Sequence, residues 1–304
     1  TEADGDMDRA KEILRERGQA IAAKRSDRET SNGCVLAKAE NGFAAIIALK
    51  CETDFVANGA DYIALTQEIL DAAVAAKAKD IETIKNLTLA NGQTVAAAIT
   101  ERSGVTGEKM ELDGYNFIEG ENVSVYNHMN KNVLCTLVQT NKPAEEQAHA
   151  IAMQVAAMKP VALNEESVDP AIIEEEKKVA AEKTKQEQVE KAVVNALKKA
   201  GINPAHVDSE DHMKSNMAKG WITAEDVEKA KLIIAKTSEE KAANLPAAMI
   251  ENIVKGRINR FYKENCLLNQ EFIQDSKMSV ADYLKAADKD LTVVNFKRFS
   301  LQAD

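Results

Sequence analysis

Apolar positions along this chain fall into patterns that predict its elements. Over residues 6–18, Met7, Ala10, Ile13 and Leu14 share one face at helical spacing, and Gly18 reads as the stop. One short helix cannot bury its own face. Two readings stay open: a helix docked on the next domain, or the remainder of a small helical module. Residues 20–32 are polar and basic and read as a linker. Two apolar runs, 34–39 and 43–51, flank Asn41-Gly42. Asn-Gly between such runs signals a hairpin, because both turn positions take positive φ. A two-residue turn there sets Cys34 opposite Leu49 and Cys51 opposite Asn32, so no disulfide is well placed.

Helical spacing returns over 61–78, where Tyr62, Leu65, Ile69, Ala72, Ala73 and Ala76 form a face. Shorter helices are predicted over 80–87 and 94–103. Residues 122–127 and 133–140 read as a second hairpin with His128 to Lys131 at its tip. Residues 144–158 read as an amphipathic helix, ended where Pro160 disfavours helix at Lys159. From Asp169 the pattern changes. Residues 174–200 are nearly all Glu, Lys, Ala, Gln and Val, with Val189, Val193, Ala196, Leu197 and Ala200 as a narrow stripe. Helices over 227–236 and 245–261 run back, so the segment reads as a projecting coiled-coil hairpin, with an irregular tip over 206–221. Residues 267–274, a helix over 279–287 opened by a Ser279/Asp282 capping box, and a strand over 291–301 complete the chain.

The predicted fold class is therefore α+β: two small antiparallel-sheet-plus-helix subdomains, residues 33–168 and 169–304. The second carries the helical coiled-coil insertion at about 172–255. Residues 1–19 stand ahead of them, joined by the linker. The first residue, Thr1, reads as the continuation of something longer.

Composition narrows the function. The chain has 304 residues, 45% hydrophobic and only 4% aromatic, so its core is built mostly from Ala, Val, Ile and Leu. Its formal net charge is -10, which repels phosphate backbones and argues against general nucleic-acid binding. The four cysteines, Cys34, Cys51, Cys135 and Cys266, form no C-x-x-C pair and read as buried free thiols in a reducing, cytoplasmic setting. No export signal and no run of about 18 apolar residues occurs.

Catalytic patterns are missing. No phosphate-cradling glycine motif occurs. His128, His149, His206 and His212 have no metal spacing, and no serine or cysteine sits in a nucleophile elbow. Catalytic residues, metal and cofactor are all expected to be none. Arg257, Arg260 and Lys263 beside Phe261 and Tyr262, and Lys297-Arg298-Phe299, mix cations with aromatics as an RNA surface would. The plainer reading is a helix stripe through Ile258 and Phe261, with cations favoured at the helix C-terminus.

One stretch stands out: Cys51-Glu52-Thr53-Asp54-Phe55-Val56-Ala57, between a strand and a helix. A corner carboxylate followed by an aromatic can pry into another protein. The plainer alternative is that Thr53 or Asp54 caps the next turn while Phe55 and Val56 staple it to the core. Local reasoning alone favours the alternative.

That stretch, after Ala45-Ile46-Ile47-Ala48-Leu49, resembles a signature of the bacterial elongation factor Ts family. Ile151 to Pro160 (IAMQVAAMKP) is similar to a second family signature. Gly256 to Glu264 (GRINRFYKE) with Cys266-Leu267-Leu268 is similar to a third. The resemblance covers nearly the whole chain, with the motifs in the family's order. It implies a guanine-nucleotide exchange factor of elongation factor Tu, without covalent chemistry of its own. Thr53, Asp54, Phe55 and Val56 would form the wedge that disturbs the partner's Mg²⁺ and phosphate site. The resemblance also implies further partner contacts at Leu134, Cys135 and Gln154. It makes residues 1–19 the remnant of an N-terminal three-helix, UBA-like module. Neither direct nucleotide binding nor nucleic-acid or membrane binding is implied, and a homodimer is allowed. The sequence departs from the family in several places. The module's first two helices are absent. Gln154 stands where some members carry histidine. A C-terminal helix of some members is missing after Asp304, and the hairpin is longer than in the shorter members. A coiled-coil scaffold without exchange activity is the competing class.

Overall fold

The structure is a computed structural model describing residues 2–302. It divides into two compact units. One runs from the start of the chain to Glu165 and resumes at Asn265, and the other is Glu166–Glu264.

The first unit opens with helix α1 (Met7–Lys24), capped by the Asp6 carboxylate, which accepts from the N–H groups of Asp8 and Arg9. The helix does not stop at Gly18. It continues to Lys24, through part of the stretch expected as linker. Gly18 serves instead as a crossing point against the helix that contains Thr100.

Strands β1 (Asn32–Glu40) and β2 (Phe43–Cys51) form the expected hairpin about Asn41-Gly42, both with positive φ. The register sets Cys34 opposite Leu49 and Asn32 opposite Cys51, as the turn length dictates. A one-turn helix α2 (Asp54–Ala57) leads into α3 (Ala60–Ala75), α4 (Ile81–Lys85) and α5 (Val95–Thr106). Asp80 and Thr94 cap α4 and α5 through their side chains. Strand β3 (Met110–Glu119), not anticipated from the sequence, then pairs antiparallel with β2. Strands β4 (Val123–Asn127) and β5 (Leu134–Thr140) and helix α6 (Glu145–Met158) follow at their expected places.

The second unit holds α7 (Pro170–Lys199), α8 (Glu210–Ala218), α9 (Ala224–Ala243) and α10 (Ala247–Asn265, whose last residue belongs to the first unit). Helices α7 and α9 pack together along part of the predicted stripe. The expected irregular tip is folded instead. It contains α8 and a small core of Leu197, Ile202, Val207, Met213, Ile222, Val227 and Ala230. The chain returns to the first unit with a short hairpin, β6 (Glu271–Phe272) and β7 (Asp275–Ser279). Helix α11 (Val280–Ala287), opened by the predicted Ser279/Asp282 capping box, and strand β8 (Val293–Ser300) complete it.

Strand β8 pairs with β5, giving sheets of order β1-β2-β3 and β4-β5-β8. The second hairpin thus shares a sheet with the end of the chain, and the two sheets stack in one unit. Their shared interior contains Val35, Ala44, Ile46, Ala48, Cys135 and Leu137. The other face of the first sheet, with Ala45, Ile47 and Leu49, packs on α3 residues Tyr62, Ile69 and Ala73. The other face of the second packs Val138 against Ile151 and Val155 of α6 and Leu284 of α11. The order is helix, sheet, sheet, helix, an α+β fold. Burial on both faces explains why β2 is apolar without alternation from Phe43 to Leu49, before Lys50. At Gly114 a Cβ would stand 2.5 Å from Cζ of Phe299, so glycine makes room there for the facing sheet.

Candidate functional site

The stretch after β2 forms a tight, heavily held turn. The Cys51 thiol donates to the Thr53 carbonyl at 3.2 Å. Thr53 is extended and caps α2, its hydroxyl accepting from the Val56 N–H at 3.4 Å. Val56 packs on the core and Ala57 is buried in it. Asp54 is exposed, and Phe55 is 87% exposed. The turn is therefore stapled by Val56 and Ala57, not by Phe55. Burying a Phe side chain is worth about 1.5–3 kcal/mol, and the fold leaves that gain unused here.

Two glutamates hold the turn from below. The Glu108 carboxylate accepts from the N–H groups of Glu52 and Thr53 at 3.1 and 3.0 Å and from the Thr53 hydroxyl at 2.6 Å. The Glu52 carboxylate accepts from the Lys109 N–H at 2.8 Å and from Nη1 of Arg25 at 3.0 and 2.9 Å. Each glutamate thus grips the other's stretch of backbone. Burial alone would raise the Glu52 carboxyl. The Lys109 N–H and the Arg25 guanidinium outweigh it and hold the group below its ordinary value.

Beside Phe55 lies an open hollow of about 560 Å³, bounded by Asp54, Phe55, Val56, Asn58 and Gly59 and, from α5, by Arg102 and Thr106. Arg102 reaches the Asp61 carboxylate only at 3.6 Å, and its buried Nε has no hydrogen-bond partner among the described residues. Helix α5 packs chiefly against α1. A larger cleft, about 680 Å³, opens between the hairpin tips and α6, with Glu40, Glu121, Glu145 and Glu146 among its lining residues. That acidic lining is unsuited to a phosphate.

The other sequence-derived contacts lie elsewhere and inside. Leu134 is 8% exposed, and Cys135 and Gln154 are fully buried. Cys135 belongs to the sheet–sheet interior. Gln154 donates to the Gln270 side chain and the Glu271 carbonyl and accepts from the Ile273 N–H at 2.8 Å, tying α6 to the β6–β7 hairpin. All three side chains are buried in this structure, and those of Cys135 and Gln154 serve contacts within the fold. Thr53, Asp54, Phe55 and Val56 form one turn, and of the residues around it the sequence reading singled out neither Glu108 nor Arg102. Their contacts to the turn span some 50 residues of sequence, which no local motif announces.

Among the described residues no other constellation competes: no group of three or more His, Cys, Asp or Glu could hold a metal ion, and no helix is long and apolar enough to cross a membrane. Burial pushes the thiols of Cys34, Cys51 and Cys266 up to about 11 and that of Cys135 up to about 12, the opposite of what a nucleophile needs. In the basic cluster, Arg257 pairs with Glu187 at 2.6 Å and Arg260 with Glu264 at 2.7 Å, while Ile258 is buried. Burial of Ile258 is what the helix-stripe reading expects.

Relatives agree with the motifs. The sequence profile described as "Elongation factor TS" matches residues 52–303. The chain is 64% identical over 304 residues to an elongation factor Ts of Phocaeicola vulgatus, covering 100% of this chain and 92% of the relative. It is 63% identical over 305 residues to one of Bacteroides fragilis, again with 100% and 92% covered. A more distant elongation factor Ts, of Porphyromonas gingivalis, is 42% identical over 304 residues, covering 100% of this chain and 90% of the relative. With a family profile over most of its length and relatives this similar over all of it, the chain belongs to the elongation factor Ts family of translation elongation factors.

Proposed function

We propose that this chain binds elongation factor Tu carrying GDP in the cytoplasm and promotes release of the nucleotide, with Asp54 and Phe55 as the wedge. The observation that carries the reading is Phe55: an aromatic 87% exposed, on a turn stapled by its neighbours and braced by two carboxylates. A large apolar side chain kept in water on a fixed support is built for a pocket in another protein.

Exchange of this kind needs no catalytic side chain. A factor that binds the nucleotide-free GTPase more tightly than the nucleotide-bound one weakens nucleotide binding by the same ratio, because the coupling is reciprocal. In such GTPases the P-loop and Mg²⁺ hold the phosphates. Phe55 entering between helices of the GTPase, with Asp54 hydrogen-bonding beside it, displaces those elements. A buried aromatic anchor contributes on the order of 2 kcal/mol or more at an interface, which is tens-fold in affinity.

The test is stopped-flow release of fluorescent GDP from elongation factor Tu, with wild type, Phe55→Ala and Asp54→Ala. Release slowed at least tenfold by Phe55→Ala, with an unchanged melting temperature, supports the wedge. Wild-type rates in both variants remove it. Light scattering on the mixture separates the scaffold alternative, since only an exchange factor forms a mixed complex that added GDP dissociates.

A further inference from the structure

We propose that Glu108 is the positioning residue of this site, presenting Phe55 already in its docking conformation. The inference rests on the reading of Phe55 as the partner-binding residue. What suggests it is the contrast between the aromatic's exposure and the number of bonds beneath it. Asp54, Phe55, Val56 and Ala57 alone make a single helical turn, too short to hold its own shape. The hollow beside it is lined by Arg102 as well as by the turn. A loose turn would let the Phe55 ring fold into that hollow, removing apolar surface from water and covering the guanidinium.

Glu108 blocks that collapse by fixing the turn at its root. One carboxylate takes both N–H groups and the hydroxyl that precede Asp54. Glu108 is itself well anchored. It follows Gly107, the left-handed C-cap of α5. Its carbonyl accepts from the Ser103 hydroxyl at 2.6 Å, and its N–H donates to Oγ1 of Thr106 at 3.3 Å. Glu52 closes the clamp from the other side, through Lys109 and Arg25. A binding element ordered in advance loses less freedom on docking. The apparent affinity scales with the fraction of molecules whose turn is competent.

Two measurements test this. Amide hydrogen exchange on the free protein should find the Glu52 and Thr53 amides protected in wild type and unprotected in Glu108→Ala. Exchange kinetics with elongation factor Tu should show, for Glu108→Ala, a half-saturating concentration raised about tenfold, as for a competent fraction of about one in ten, with the maximal rate kept. The same substitution in a Phe55→Ala background should raise the half-saturating concentration by much less, since only Asp54 is then left on the turn to be positioned. Glu108→Gln, which keeps the shape and one accepting oxygen, should fall between and serves if the alanine variant does not fold. Thr53 amides equally unprotected in wild type and variant overturn the clamp without reference to any partner. Unchanged half-saturation, at a temperature where the variant is folded but less stable, makes Glu108 merely structural and also overturns the proposal. Failure of the underlying reading is seen separately, in Phe55→Ala alone exchanging like wild type, and the positioning role falls with it.

Discussion

Gly18 of α1 lies so close to Thr100 of α5 that a Cβ on it would stand 1.9 Å from the Thr100 carbonyl oxygen. Gly104 mirrors it, with a Cβ there 2.0 Å from the Leu14 carbonyl oxygen. Two glycines let the helix backbones touch, and α5 carries Arg102 to the hollow beside Phe55. Gly18→Ala and Gly104→Ala should each destabilise by about 1–3 kcal/mol, the usual cost of overpacking, read as a lower urea midpoint. Gly256, in the interior of α10 with nothing within 4 Å of its would-be Cβ, is the control. Alanine there should stabilise by about 0.5–1 kcal/mol. A destabilised Gly256→Ala together with an unaffected Gly18→Ala would contradict the crossing.

The same glycine shows where sequence reasoning stops. Glycine ends helices and also lets helices cross, and only the partner, 82 positions further on at Thr100, decides which. The first hairpin was legible to the residue because Asn41-Gly42 fixes its register locally. The strand over Met110–Glu119 was not, since Asp113-Gly114 in its middle argues for a turn. Its glycine is there to admit Phe299, from a strand at the far end of the chain. Strand β8 itself was foreseen, but its pairing with β5 joins Leu134 to Ser300 and has no local mark. At the site, the sequence distinguished the four residues of the turn but could not tell whether Phe55 faced the core or water. The capping pattern is the same in both cases. The division between Val56, packed inward, and Phe55, left outside, is a tertiary fact.

Acid should loosen the clamp first. The Glu52 carboxyl is held below its ordinary value of 4.5, against the opposing pull of burial, by the Lys109 N–H and Arg25. Glu111, bonded by the Thr30 hydroxyl and by Lys109, is lowered too. A carboxyl lowered in the folded state contributes stability that is fully present above its unfolded value. That stability is lost as the pH falls through the folded one. Denaturation midpoints should therefore be level from about pH 7 to 5 and fall below about pH 4.5. Glu52→Gln should be less stable near neutrality and less steep in acid, and a slope identical to wild type would show that Glu52 does not contribute.

The cysteines should be inert in the folded protein. All four are buried and free, with thiols pushed to about 11 or 12 by burial. At pH 8 a thiol of pKa near 11 is ionised in about one molecule in a thousand, and the thiolate is the reactive form. Mass spectrometry after iodoacetamide treatment should find no adduct on the native chain and four on the denatured one. Rapid labelling of Cys51 in the native state would show that the turn beside it opens far more often than its bonds suggest.

Trp221, the chain's only tryptophan, is a reporter for the second unit. Its side chain is 61% exposed, with the His206 ring 5.5 Å away and the Lys219 ammonium 4.8 Å from its centroid. Next to it in sequence, Ile222 belongs to the small core with Leu197, Val207 and Met213, which shares no residue with the three cores of the first unit. Separate cores imply separable transitions. Leu197→Ala, which removes a side chain only 2% exposed, should cost about 2–5 kcal/mol and lower the midpoint seen by Trp221 fluorescence. Ile47→Val, at a fully buried position in the first unit, should cost about 0.5–1.5 kcal/mol. It should lower the midpoint of the near-ultraviolet tyrosine signal, four of whose five tyrosines lie in the first unit, and leave the tryptophan transition in place. If either substitution shifts both probes by the same amount, the two units unfold as one, and the tip core is not an independent source of stability.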